Sequence, residues 1–538
     1  MEVKPVRVAD KRQVMRQKIA VFRRDPARQG SYNPLTLRNN GRAFDSGGKK
    51  RWEAFMPIQG YYFSLDSSDP TSRSRSGGQR KALLIGTSLM VYAAFPSSAM
   101  AQQECGAPPP GGGTVTCTPS GNPYGTGVTY PNTVEDLTVV LQPGVQILQG
   151  ANINSSSGDV DLRLEGQTNT LISSSQNGVV GVNVVSTQGT AFVGADDVIT
   201  RGNNATGINA TSRDSTEVVA DLVSTFGTNS AGVIATSTGT GFFGPGPVTV
   251  TTNGVLTQGD NSNGIIASAG GGKYSSGTIT VNSGTLLTTG QNSDGIVATT
   301  SAPSKYGPVG AITINSGTLA TLGDNSTGIS ATSPGGSVFI SGGTVATTGD
   351  SSVGIDVTIN PLNPYAAAGV VSIDMDRVST AGDNSNAVTV NGGSNFVYLD
   401  LGAVSTGGDS STGVSVISNS TANVRAVSVS TRGDNSPGIV AIADPSNIGG
   451  GTAQVNVGTV TTLGDNSPGI IASASNSVSV TATSIQTTGD NSPGVVATQG
   501  GPGGPPPVPA PSPPPPPSPA TPAGTSSTAT TSSTRTWA

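Results

Sequence analysis

Apolar and polar positions alternate along most of this chain, and the alternation is interrupted at regular intervals by one polar phrase. The phrase is clearest at Val429–Ala441, V-S-T-R-G-D-N-S-P-G-I-V-A, and its first glycine recurs at Gly202, Gly227, Gly259, Gly290, Gly323, Gly349, Gly382, Gly408, Gly433, Gly464 and Gly489. The spacing falls into a base unit of 25 or 26 residues and a longer one of 31 to 33. Such a period marks a repeat architecture. A threonine precedes each glycine by two places, from Thr200 to Thr487. After the turn a second glycine stands in ten copies, with Ala387 the exception, and Ile or Val follows in all eleven. Two places later comes Ala in eight copies and Val in three. This is a period of two on either side of a turn, which predicts strands with one buried face. Asp, Asn, Ser and Gly in the turn each suit tight backbone geometry, glycine by reaching positive φ and Asn or Asp through local side-chain bonds.

One unit cannot bury its apolar row alone, but stacked units can, each strand pairing with its own copies about 4.8 Å away. The long unit Gly433–Leu463 contains three extended pieces, GIVAIA, TAQVNV and GTVTTL. Three short strands per rung predict an all-β, right-handed parallel β-helix over 200–500, a solenoid core of roughly 50 Å at that spacing. Residues 128–199 carry off-pattern strands (LTVVL, VDLRL, NTLI, GVVGVNVV) and a decayed copy at Gln176-Asn177-Gly178, 26 residues before Gly202. They read as the N-terminal cap and degenerate first rungs, because a terminal repeat meets water on one face.

The long units all expand just after the Gly-Ile-x-Ala strand. Four of the five insertions carry an aromatic: Phe242 with Phe243, Tyr274, Tyr306 and Tyr365. Projecting from one edge, these are a candidate sugar- or protein-binding strip, and simple corner cover is the plainer reading.

Composition agrees with a solenoid. The chain has 538 residues, 75 of them Gly, with 4% aromatics and 11% charged residues, too little aromatic mass for one globular core of this length. The same composition would suit disorder, but the invariant Ile/Val column argues against that between 200 and 500. Charge is uneven. Residues 1–101 hold 18 Lys+Arg against 7 Asp+Glu, and the remainder 9 against 25, so the larger part is acidic and nucleic acid is not an expected partner.

At the start, residues 1–79 are basic and without periodicity, a disordered leader or a mis-assigned start, with Met56 one candidate for the true one. Arg80 and Lys81 then precede the apolar run Ala82–Phe95 and the sequence Ser-Ser-Ala-Met-Ala. Ala99 and Ala101 give the small-x-small pattern of a signal peptide at 80–101, cut before Gln102; an uncleaved anchor is the alternative, though the run is short for a bilayer span. Cys105 and Cys117, the only cysteines, lie in the exported part, so a disulfide closing the segment 102–127 is expected, with two free thiols the alternative. Its loop would contribute about 2–3 kcal/mol. Of the 21 residues from Pro502 to Pro522, 13 are proline, a semi-rigid spacer leading into a Ser/Thr-rich tail; together they form 501–538.

Little points to chemistry. The chain has no His, which removes the commonest general base and metal ligand. Asp follows the repeat glycine in eight copies (Asp260, Asp324, Asp350, Asp383, Asp409, Asp434, Asp465, Asp490), but an active site is one constellation, whereas this row repeats. No catalytic, cofactor or metal residue is therefore assigned. Calcium is the one cofactor a row of oxygens would suit, and the nine-residue glycine–aspartate calcium repeat is absent.

The signal sequence, the C-G-x-P-P-P-G-G-G-T-V-T-C opening (Cys105–Cys117), the G-D-N-S-x-G-[IV]-x-A repeats and the proline-rich spacer together resemble the passenger domain of a Gram-negative autotransporter (type V secretion). The resemblance implies a non-enzymatic, exported passenger at the cell surface, outer membrane or outside the cell, often adhesive toward a surface glycan or protein, and carried by a C-terminal outer-membrane β-barrel. Nothing after residue 523 reads as a barrel strand. A truncated or frame-shifted passenger, or one served by a separate barrel in trans, is thus the expectation; without a barrel it would stay periplasmic. The alternative function is a polysaccharide-degrading β-helix enzyme, lyase or glycosidase.

Overall fold

The computed structural model describes residues 104–500, apart from 134, 167–168, 240–243, 304–306, 361–368, 394 and 444–449, and the backbone of 528–529 and 535–536. Ala99 and Ala101 lie outside the described residues, as does the proline-rich spacer.

The chain winds through two long parallel sheets as a parallel β-helix solenoid. One sheet has 14 strands, mostly of five residues, such as Ile265–Ala269, Ile296–Thr300 and Ile329–Ser333. Each alternates buried and half-buried positions, and the aliphatic after the second glycine leads each one. Ile265 pairs with Ile296 and Ile296 with Ile329, all fully buried. The predicted inward column is therefore real. Copies 31 or 33 residues apart pair in register as cleanly as those 25 apart, such as Val414 with Ile439. The extra residues of the long units all fall between a short strand and the long strand after it, for example between Ala269 and Ile279.

The second sheet corrects the expected three separate strands. From Ala191–Thr200 onward the second and third pieces of a coil run on as one strand of 10 or 11 residues, such as Ile279–Thr288, Ile312–Thr321 and Thr452–Thr462. In the first coils they stay apart, as Val160–Leu164 and Leu171–Ser174 do. Its burial changes phase midway: Ile279, Val281 and Ser283 face inward, then Leu286 and Thr288. The change falls at one residue left out of the ladder. Thr252 pairs with Ser283 and Gly254 with Thr285, so Asn253 and Gly284 are skipped. Because side chains alternate strictly along a strand, one skipped residue lets both halves face the same interior. Each coil thus contributes three inward rows from two strands.

The solenoid begins earlier than the repeats do. Gly113–Cys117 already pairs with Leu137–Leu141, and that strand with Val160–Leu164. Cys105 and Cys117 are joined, with Cα atoms 4.8 Å apart. Tyr130, the largest fully buried side chain among the described residues, donates its hydroxyl to Gly106 O at 2.9 Å. Burial pushes that phenol up to about 12. The decayed copy at Gln176 is a true turn: the N–H of Asn203 donates to Asn177 Oδ1 at 2.9 Å, as its counterparts do further along.

Candidate functional site

The repeated polar phrase is the first place to look for a site, and its side chains hold the coils together. The positive φ of the turn is carried by Asn in nine copies, such as Asn325 (53°), and by Ser351 and Ser410 in two. Asn tolerates that left-handed conformation through its short polar side chain. The first glycine is needed for another reason, since a Cβ on Gly323 would fall on the carbonyl of Gly290 in the neighbouring coil. The second glycine is slightly less confined: at Gly328 the nearest atoms are Gly354 O at 2.4 Å and Val345 Cγ1 at 2.6 Å, and Ala387 occupies the equivalent place.

The polar side chains form three ladders. Thr406 donates to Ser411 O at 2.7 Å, closing its own turn. Ser385, fully buried, donates to Gly349 O at 3.1 Å and Asp383 O at 3.0 Å and accepts the N–H of Ser352 at 2.9 Å. The aspartates stand outside. The N–H of Asp350 donates to Asp324 Oδ1 at 2.9 Å, that of Asp383 to Asp350 at 2.9 Å and that of Asp409 to Asp383 at 2.8 Å. The row of carboxylates is a backbone clamp between coils.

Of the aromatic strip, Phe242, Phe243, Tyr306 and Tyr365 lie outside the described residues. Tyr274 is 41% exposed, with the Lys273 ammonium 5.2 Å from its ring centre.

A second surface, not singled out from the sequence, lies on the outer side of the bend in the long strands. Two adjoining depressions of about 580 and 450 Å³ share Thr251 and Asn253 and together run from Arg163 to Gly343. Small residues at the skipped position (Gly284, Gly317, Gly343) leave the wall low. Amides and hydroxyls line it in series. Asn315 donates to Asn282 Oδ1 at 2.8 Å, and Ser341 donates to Asn315 Oδ1 at 2.6 Å. At the other end Arg163 lies 4.7 Å from the Phe192 ring centre and bridges Asp161 at 2.8 Å.

Three carboxyl groups gather there. Asp196 and Asp221 both occupy the skipped position of neighbouring coils, and Asp197 pairs with Leu222 beside them. Asp196 Oδ2 accepts the N–H of Thr170 at 3.1 Å, and Asp221 Oδ1 accepts from Asn253 Nδ2 at 2.7 Å. Burial, and then the nearby charges of Asp221 and Asp196, hold the Asp197 carboxyl above its ordinary range. The sequence carried one usable sign: the fragments A-D-D at 195–197 and A-D-L at 220–222 stand one 25-residue unit apart.

No family model matches this chain, and no curated protein or solved structure shows significant similarity to it.

Proposed function

We propose that the chain is an exported, surface-displayed rod of the autotransporter-passenger kind, structural and adhesive rather than enzymatic, which binds a hydroxyl-rich polymer such as a surface glycan along its length. The observation that carries the reading is the division of labour between the two corners of the coil. The recurring Ser and Asp side chains of the turn are hydrogen-bonded from coil to coil and hold the stack, whereas the bend carries a file of amides and hydroxyls on consecutive coils, facing outward. Polar groups repeating at about 4.8 Å along an extended surface suit an extended polymer better than a single small molecule. Tyr274 and its strip partners offer a second contact line of stacking type. Delivery by an outer-membrane β-barrel, in cis or in trans, belongs to the same proposal.

Binding of the purified chain to a panel of surface polysaccharides tests this. Retention without release of new chain ends, weakened by Asn282→Ala with Asn315→Ala, supports the rod. No retention on any glycan, together with no binding to cell surfaces, rejects it.

Asp196, Asp197 and Asp221 favour one second reading, a glycosidase. A carboxyl raised above its ordinary range by burial, with two further carboxyls beside it, is the kind of grouping a general acid uses. Release of reducing ends, abolished by Asp197→Asn with the fold intact, would select this reading over the first.

A further inference from the structure

The two ends of the solenoid are finished differently. At the N-terminal end Tyr130 is buried beneath the disulfide-closed segment. At the other end the last short strand, Val495–Gln499, is exposed at all five positions, and Val495 is 42% exposed where its counterpart Ile470 is fully buried. The last long strand, Ser477–Thr487, also has an open side, and Val480 and Ala482 remain only partly buried in the inward row. An open edge of regular strands, with part of its apolar row uncovered, is a template for another strand.

The chain itself supplies strands that meet this edge. Thr528–Ala529 and Arg535–Thr536 both pair with the last long strand, Thr528 with Gln486 and Ala529 with Ile485, Arg535 with Val480 and Thr536 with Ser479. Both pairings are antiparallel, whereas every other strand pairing of the two sheets is parallel. We propose that the two strands Thr528–Ala529 and Arg535–Thr536 cap the β-helix in cis, on the open edge of Ser477–Thr487.

The sequence suits the task at each step. Proline cannot donate to a ladder, so the segment up to Pro522 cannot itself be the cap. Beyond Pro522 the chain contains no proline and is rich in threonine, which favours strands. The reversed strand direction matters as well. An antiparallel strand on that edge breaks the parallel register that a further coil, or the end of a second copy, would need.

Hydrogen exchange of the full chain, compared with a chain stopped after Ala523 and with the double variant Thr528→Pro, Thr536→Pro, tests the proposal at low and high protein concentration. Amides of 477–487 should exchange about tenfold faster in both variants, while those of 279–359 stay unchanged and show that the solenoid is intact. The full chain should show the same protection at both concentrations. Equal exchange of 477–487 in all three chains would overturn the cap. Protection of the full chain that disappears on dilution would overturn it too, and would give the edge to a second copy instead.

Discussion

The coil turns two kinds of corner, and they have opposite chemistry. At the polar turn the residue types hardly vary, and Thr406, Ser385 and Asp383 are each hydrogen-bonded within or between coils. At the bend of the long strand the skipped position is Asp196, Asp221, Asn253, Gly284, Gly317 and Asp376 in different coils, with Val427 70% exposed in another. One corner repeats because its side chains hold the stack. The other drifts because the backbone alone makes the bend, which leaves its side chains for the solvent or a ligand. A strict column in a solenoid is therefore evidence of structural duty, and the variable column beside it is the better place to seek recognition.

The largest test of that contrast is at the turn glycines. Gly323→Ala should cost about 3 kcal/mol or more, because the new Cβ meets a neighbouring backbone carbonyl that cannot move without shifting the coil. Gly328→Ala should cost about 1–2 kcal/mol, since Ala387 shows that this column admits a methyl group. Denaturant unfolding followed by circular dichroism ranks the two. The reverse order would mean that the first glycine is not conserved along the chain for close approach.

Next in size is Ser385→Ala, which leaves the buried N–H of Ser352 without its acceptor and Gly349 O without a donor. About 2 kcal/mol should be lost. Asn315→Ala, at the bend, should cost less than about 0.5 kcal/mol, because its partners Asn282 and Ser341 can turn to water. If Asn315→Ala destabilised the chain as much as Ser385→Ala, the bend would be structural and the division between corners would fail. A smaller change still is expected for Asp383→Asn. The amide keeps the acceptor for the Asp409 N–H, as Asn177 does for Asn203, and it removes one of a row of like charges. Stability should be unchanged or slightly raised.

The same contrast explains how much could be read in advance. The period, the inward Ile/Val column, the decayed copy at Gln176 and the place of the insertions were all legible, because each follows from residue types that packing forces to recur. The fusion of two predicted strands was not. The phase change between Ser283 and Leu286 occurs at a position that holds Asp, Asn, Gly or Val in different coils, so no column marks it. The positive φ was assigned to glycine on general grounds, whereas the close approach of Gly323 to Gly290 uses glycine for its missing Cβ and passes the left-handed residue to Asn. The carboxyl groups at Asp196, Asp197 and Asp221 were hidden for the opposite reason, since they sit where the repeat imposes nothing.

The smallest effect concerns pH, and it comes from two half-buried acids outside the row that follows the first turn glycine. Asp356 lies half-buried on the short strand Ile355–Ile359, and burial raises its carboxyl above the ordinary value of 3.8. Asp294 is raised as well, by burial first and then by the charge of Asp356, although the N–H of Thr327 donates to it at 2.7 Å and pulls the other way. A carboxyl whose folded pKa exceeds its unfolded value ionises more readily in the unfolded chain. The folded state therefore bears a cost at neutral pH, and the cost is relieved as pH falls through the folded pKa toward 3.8. Stability should rise on mild acidification from pH 7, the reverse of what carboxylates stabilised by ion pairs produce. Asp356→Asn should raise the neutral-pH midpoint of unfolding slightly, by well under about 1 kcal/mol after solvent screening, and the gain should vanish below pH 3.8. Midpoints measured across pH on the two chains decide it. A gain that persists at low pH would mean that the side chain's shape, and not its charge, opposes the fold at that position.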